Sequence, residues 1–402
     1  TFGYTMIVAE TAIGRMTRKS PVGAFKSFGK KKWLSFGGWI NAVIPVLIVP
    51  YYSVIGGWVI KYLVEYFRGN AKLLAEDGYF TDFISNGVST ELCFVAFCAF
   101  TLIIIFAGVQ NGIERVSKIM MPILIVLSVI IAVYSVTRPG ALAGVKYFLV
   151  PNVKNFSWMT VVSAMGQMFY SLSIAMGILI TFGSYMKKDT AIEDSTRNVE
   201  IFDTGIAIMA GLMIIPAVFA FSGGDPDTLQ AGPSLMFITI PKVFQNMGFG
   251  TVIGIVFFLL VLFAAVTSSI ALTESAVSTF EDELGWGRKK ATVLVGVIML
   301  ALGSLSSLGY GPLAGIKIIG MQFLDLFDFL TNSVMMPIAA LLTSLFVSRV
   351  VGIDKIEAEI IHGESAFRRK KVFVVMIKYL CPVFAIIILL SSVANALGWI
   401  KM

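Results

Sequence analysis

Charge is what this chain has least of. Asp, Glu, Lys and Arg make up 14% of it, against roughly 25% in soluble domains, while hydrophobic residues reach 57%. A soluble globule of that composition would expose apolar patches larger than soluble monomers tolerate. A set of soluble domains, a disordered regulator and a repetitive fibre are therefore excluded. Histidine is scarcer still. His362, the one histidine, stands in a charged loop, so no His-based metal or nucleophilic centre can be assembled. The three cysteines, Cys93, Cys98 and Cys381, lie in apolar stretches and read as small core residues, not as a disulfide or metal framework. No cleavable signal peptide is visible. The chain opens at Thr1, inside an apolar run that ends at Arg15 and is too short to span a bilayer. That run is expected to be re-entrant, or to have lost its true start. The net charge of +7 reports topology in so apolar a chain, and nucleic acid is discounted as a partner. What remains is a polytopic membrane protein.

A spanning helix needs about 20 mostly apolar residues. Uncharged runs of that order cover 33–60, 92–113, 119–137, 155–186, 204–224, 243–273, 291–316, 329–348 and 379–400. The expected organisation is a single transmembrane domain over 1–402, with a partial span at 1–14 followed by about nine full spans. Barrel strands would be half as long and would alternate, so the fold class is all-α. Loop charge sets the orientation. Arg15, Arg18, Lys19, Lys26 and Lys30 to Lys32 fill the loop after the first segment, whereas 68–91 carries Glu76, Asp77, Asp82 and Glu91 against Arg68 and Lys72. Lys187, Lys188 and Arg197 share the basic side with Arg288 to Lys290 and with Arg349, Lys355 and Arg368 to Lys371. By the positive-inside rule this side is cytoplasmic, which leaves the C-terminus, Met402, outside.

Polar residues occur at membrane depth in three places. The stretch from Gly166 to Gly177, with Gln167, Ser171 and Ser173, sits in the middle of the long run 155–186. Such a composition suits either a helix broken around a cavity or a continuous one with back-bonded serines and glycines for close packing. The second place is Thr267-Ser268-Ser269. Hydroxyls can ligate a hard cation, although three consecutive helical residues do not share a face and packing is their commoner role. The third group is acidic: Glu10, Asp203 and the pair Asp325 and Asp328. An intramembrane carboxylate is a functional hypothesis, while Asp203 and the Asp325/Asp328 pair also suit capping positions at helix starts. Glu281, Asp282 and Glu283, followed by Arg288 to Lys290, read as a solvated loop face.

With these motifs in order, the chain resembles the neurotransmitter:sodium symporter family, in its bacterial amino-acid branch. The resemblance rests on Glu10 to Arg15 (ETAIGR), Pro50-Tyr51-Tyr52, Gly112-Ile113-Glu114-Arg115, Gly166 to Ser173, Pro233 with Phe237 to Pro241, Thr267 to Ala271, and Phe280 to Leu284 (FEDEL). These follow family order along essentially the whole chain. The resemblance implies an inverted repeat of five plus five helices with broken helices, in which 155–186 is the broken sixth helix and the first segment the second half of helix 2. On that alignment the chain is N-terminally truncated and lacks helix 1.

The resemblance also implies site residues. The substrate pocket would comprise Ile48, Tyr52, Tyr170, Ser173, Met176, Ser268 and Leu272, with Tyr52 donating to the substrate carboxylate and Tyr170 as lid. Sodium would be held by Ser171 and Asp203 at one site, and by the Ala264 carbonyl, Thr267 and Ser268 at another. Asp328 would serve an outer gate, beside Tyr170, and Tyr185 with Asp282 an inner one. An aspartate at 203 in place of the asparagine of chloride-dependent members implies chloride independence, since a second anion there meets like-charge repulsion in a low dielectric. The implied function is sodium-coupled symport, by alternating access, of a neutral amino acid with a hydrophobic or aromatic side chain. Na+ is co-transported, and no organic cofactor is implied. The partners are the amino acid and the lipid bilayer of the inner (plasma) membrane, with a homodimer left open. A membrane enzyme is disfavoured by the lack of any His- or Cys-centred site. Two further alternatives are a channel or passive pore, for which no ring of charge or repeated filter motif is visible, and a truncated, transport-inactive fragment of such a symporter.

Overall fold

In the computed structural model, residues 1–29, 31–225, 229 and 232–396 are described; the expected position of Met402, and the last residues of the run 379–400, fall outside them. The described residues form helices and no strands. Among the described residues, eight continuous helices are long and apolar enough to cross a membrane. In chain order, α1 (Phe2–Thr17) and the short α2 (Pro21–Lys26) lead to the long α3 (Lys32–Phe67). Then come α4 (Gly87–Phe106), α5 (Val109–Val136), the short α6 (Ala141–Leu149), the two half-helices α7 (Trp158–Ser171) and α8 (Ile178–Tyr185), and α9 (Ile192–Ser222). The chain continues through α10 (Leu235–Gln245), α11 (Gly250–Leu284), α12 (Arg288–Leu308), α13 (Phe323–Val351), α14 (Ile353–Ile360) and α15 (Lys370–Ala396).

Several helices overrun the uncharged runs that announced them, because their charges are paired. Lys61 and Glu65 face each other one turn apart at 2.8 Å, so α3 continues past 60 to Phe67. The run 204–224 starts a full three turns late: α9 begins at Ile192, and Asp203 lies in mid-helix, not at a helix start. Glu281, Asp282 and Glu283 belong to the end of α11, not to a loop. Elsewhere a glycine moves a boundary. Gly108 adopts a left-handed φ of 88°, which ends the preceding helix and assigns Gly112 and Ile113 to α5, whose first turn is π-helical. The start of the run 243–273 likewise belongs to α10, with α11 beginning only at Gly250.

The opening run is one continuous helix at the centre of the fold: Phe2 to Arg15 are all buried. It lies against α8 at contact distance. A Cβ on Gly14 would fall 2.0 Å from the Ile180 carbonyl oxygen, and one on Gly183 would fall 2.6 Å from that of Thr11. Arg15, expected in a basic loop, is fully buried and pairs with Glu359 of α14 at 2.7 Å, while Lys188 holds the same carboxylate. Opening such a pair by removing one partner costs about 3–5 kcal/mol, so this network ties α1, the 186–191 turn and α14 at the basic face. Nearby, Glu364 sits above the ordinary carboxylate range because it is partly buried and faces Glu193. At the opposite end Trp58, Phe80, Tyr62, Phe237 and Phe258 pack ring on ring, and the Tyr62 hydroxyl donates to the Phe237 carbonyl at 2.7 Å. This aromatic plug anchors α10 on α3 and α11.

Candidate functional site

The run 155–186 does not stay helical. α7 ends at Ser171 and α8 starts at Ile178, and between them Ser173, Ala175 and Gly177 take left-handed φ values of 55°, 59° and 73°. Glycine adopts that conformation freely, whereas each non-glycine residue there costs about 1–3 kcal/mol. Two features offset that cost. Ile174, Ala175 and Met176 are buried, and the freed Ala175 N–H donates to the Glu10 carboxylate of α1 at 2.8 Å. The other oxygen of Glu10 is buried with no hydrogen-bond partner. Backbone of this kind is tolerated at membrane depth where it borders a cavity.

It does border one. A cavity of about 320 Å³ is lined by Ile48 and Tyr52 of α3, Tyr170 and Ser171 of α7, Ser173 and Met176 of the break, and Thr267, Ser268, Ala271 and Leu272 of α11. Every residue expected in the substrate pocket is therefore on one wall or another of a single space. Ile178 and Met121 complete it. Met121 was not expected, and nothing in an all-apolar stretch of α5 distinguishes it from its neighbours.

The hydroxyls divide by face. Thr267 and Ser268 border the cavity, whereas Ser269 is buried and accepts from Thr101 of α4 at 3.2 Å. Thr267 donates back to the Phe263 and Ala264 carbonyls, each at 3.0 Å, which places the Ala264 oxygen directly behind the Thr267 hydroxyl. Ser171, on the cavity wall, donates to Asp203 of α9. Of the residues expected around sodium, Ser171 is bonded to Asp203 and Thr267 to the Ala264 carbonyl, with Ser268 on the cavity wall next to Thr267. Among the described residues, no cluster of His, Cys, Asp and Glu has the make-up of a transition-metal site.

The expected gate residues are distributed differently. Asp328 accepts from Tyr51 at 3.2 Å and from Asn332 at 2.6 Å. Tyr185 and Asp282 are not paired. Tyr185 donates to Glu274 at 2.7 Å, and Arg288 grips the same carboxylate with two nitrogens, at 3.0 and 2.5 Å. Asp282 instead accepts the backbone N–H of Ser20, where α2 begins, at 2.5 Å. Glu274 is fully buried. Its only sign in the sequence is an acidic residue one position beyond the uncharged run 243–273, because its partner Arg288 reads there as a solvated loop charge.

Comparison with known proteins agrees with this architecture. The family model described as the sodium:neurotransmitter symporter family matches residues 80–399. A sodium-dependent transporter of Bacillus subtilis (strain 168), YhdH, is 33% identical over 395 residues, spanning 97% of this chain and 87% of the relative. A sodium-dependent transporter of Haemophilus influenzae is 30% identical over 407 residues, with 97% and 87% covered. Among solved structures, that of MhsT in complex with L-phenylalanine superposes with a TM-score of 0.85 at 33% identity, covering 97% of this chain and 88% of that one. The all-helical fold, the apolar spans and these matches lead to one conclusion: the chain is a multi-pass membrane protein, not an enzyme, and belongs to the sodium:neurotransmitter symporter family.

Proposed function

We propose that the cavity carries a neutral amino acid with a hydrophobic or aromatic side chain, in symport with sodium and without chloride. The observation that carries this reading is the broken segment 172–177 facing the Thr267 and Ser268 hydroxyls across one cavity. That space lies at the small end of the roughly 300–1,000 Å³ of ligand pockets, which suits an amino acid. Ile48, Met176 and Leu272 are apolar, and no charged side chain lines the cavity, so a charged substrate side chain would be left unpaired at high cost. The Tyr52 hydroxyl takes the substrate carboxylate and Tyr170 covers the bound molecule. Sodium is co-substrate: one ion lies between Ser171 and Asp203, a second between the Ala264 carbonyl, Thr267 and Ser268. The fixed charge of Asp203 supplies the negative balance that chloride would otherwise bring. The phenylalanine held by MhsT supports the substrate class.

The test is uptake of labelled phenylalanine, leucine and glutamate into proteoliposomes under an inward sodium gradient. Uptake of the two apolar amino acids should require sodium, and glutamate should be excluded. Equal phenylalanine uptake in sodium and in choline would reject the reading.

A further inference from the structure

α4 begins at Gly87 and α12 ends at Leu308, and the two ends meet beside Pro312. Between them runs a groove of about 530 Å³, separate from the transport cavity, whose walls include Val88, Glu91, Leu92, Val95, Leu308 and Pro312. Its lining is apolar apart from Asn86 and the Glu91 carboxylate. One Glu91 oxygen accepts from the Ser304 hydroxyl of α12. The other is buried without a hydrogen-bond partner, and among the described residues Glu91 forms no ion pair.

Depth says what surrounds this groove. α4 has 20 residues and so spans about 30 Å, the thickness of the hydrocarbon core. Glu91 is four positions from the helix start, about 6 Å along the axis and so just inside the edge of the apolar slab that α4 spans. Beside it Val88, toward the headgroups, and Leu92 and Val95, toward the bilayer centre, lie on one face of α4 and are 73%, 67% and 41% exposed. A carboxylate with an unmet oxygen interrupts this exposed apolar stripe between Val88 and Leu92.

We propose that this groove binds an aminophospholipid, its primary ammonium on Glu91 and one acyl chain along Leu92 and Val95. A carboxylate at this depth without a cation is costly, and an ammonium group supplies both the charge and the N–H donors that the free oxygen lacks. The terminal torsion of glutamate is broad, so the carboxylate rotates to bring its free oxygen into the groove, and the rotatable Ser304 hydroxyl re-forms its bond to the oxygen that then faces it. A quaternary ammonium headgroup brings the charge but no donor, and an anionic headgroup meets like charge. The expected order of affinity is therefore phosphatidylethanolamine, then phosphatidylcholine, then phosphatidylglycerol. This inference is independent of the transport reading.

The experiment titrates the detergent-purified, delipidated chain with these three lipids, matched in acyl chains, and reads bound lipid by native mass spectrometry. Phosphatidylethanolamine should bind at least tenfold more tightly than phosphatidylglycerol. Glu91→Gln, which keeps an acceptor for Ser304, should lose at least fivefold of the phosphatidylethanolamine affinity and leave phosphatidylglycerol unchanged or improved. Equal affinity for the two lipids, or unchanged phosphatidylethanolamine binding in Glu91→Gln, would overturn the proposal. Should Glu91→Gln not fold, Val88→Trp at an exposed position blocks the groove and must weaken phosphatidylethanolamine binding; unchanged binding there also overturns it. Free ethanolamine should not compete at matched concentration. Competition by it would assign the site to a soluble amine and overturn the lipid assignment.

Discussion

Two uncharged runs face each other across the cavity and solve the same problem in opposite ways. In 155–186 the backbone itself is opened: three left-handed residues interrupt the helix, and a carboxylate from another helix takes up the freed Ala175 N–H. In α11 the backbone stays closed through Thr267-Ser268-Ser269, and only side chains reach the cavity, with Thr267 bonded back to its own turn. Both runs carry hydroxyls and no charge at their centres, so local composition does not separate them. The difference is the external partner. The break has α1 pressed against it, with Glu10 at hand and no Cβ at Gly14 or Gly183 to hold the two apart; an isolated helix pays no such strain and has no reason to break. A broken segment is therefore a tertiary object, and a hydroxyl-bearing helix a local one.

The sharpest way to break this comparison is to push α1 away from α8. Gly14→Val would set a Cβ 2.0 Å from the Ile180 carbonyl oxygen, a backbone atom that cannot step aside. Overpacking of this kind commonly costs about 1–3 kcal/mol and more where backbone must move, so little monodisperse protein should survive size-exclusion chromatography. Gly166→Ala, in the same broken run but with nothing within 4 Å of the added methyl, should elute and melt like the parent.

Next in size is the carboxylate. Glu10→Ala strands the buried Ala175 N–H, a loss of about 1–3 kcal/mol, and should lower the melting temperature and abolish uptake. Glu10→Gln keeps an acceptor and should retain most of the stability. Equal melting of Glu10→Ala and the parent would show that the break stands without its partner.

The side-chain half of the comparison predicts smaller and more selective effects. Ser268→Ala should raise the sodium concentration for half-maximal uptake about tenfold, the loss of one ligand to a charged species at about 1.5 kcal/mol. Ser269→Ala, on the other face, should leave the sodium dependence alone and cost about 1 kcal/mol of stability through its contact with Thr101. Sodium titrations of uptake read both.

Smallest in the parent is the effect of chloride. Replacing it with gluconate should not change uptake, whereas Asp203→Asn should make uptake chloride-dependent or abolish it. Strong chloride dependence of the unaltered protein would remove Asp203 from the ion site.

Much of this was legible from one chain. Hydropathy located the spans because bilayer thickness imposes a length on any apolar helix, and the glycines and serines of 166–177 marked where continuity was in doubt. The partners were not legible. Arg15 looks like a loop cation and is a fully buried brace on Glu359. Tyr185 donates to Glu274, the carboxylate that Arg288 also holds, while Asp282 turns to Ser20. Glu274 and Asp282 both stand on α11, so spacing along the chain could not say which would meet the tyrosine.

What the order of residues determined by itself is the membrane class, the all-helical fold and which residue types reach mid-depth, because each follows from transfer of side chains and backbone into a medium without water. What only the tertiary structure decided is which helix breaks, which carboxylate holds the break and which hydroxyls turn to the cavity. Those depend on contacts between segments far apart in the chain, such as Glu10 with Ala175, where a buried polar group is stable only once its partner from another helix has arrived.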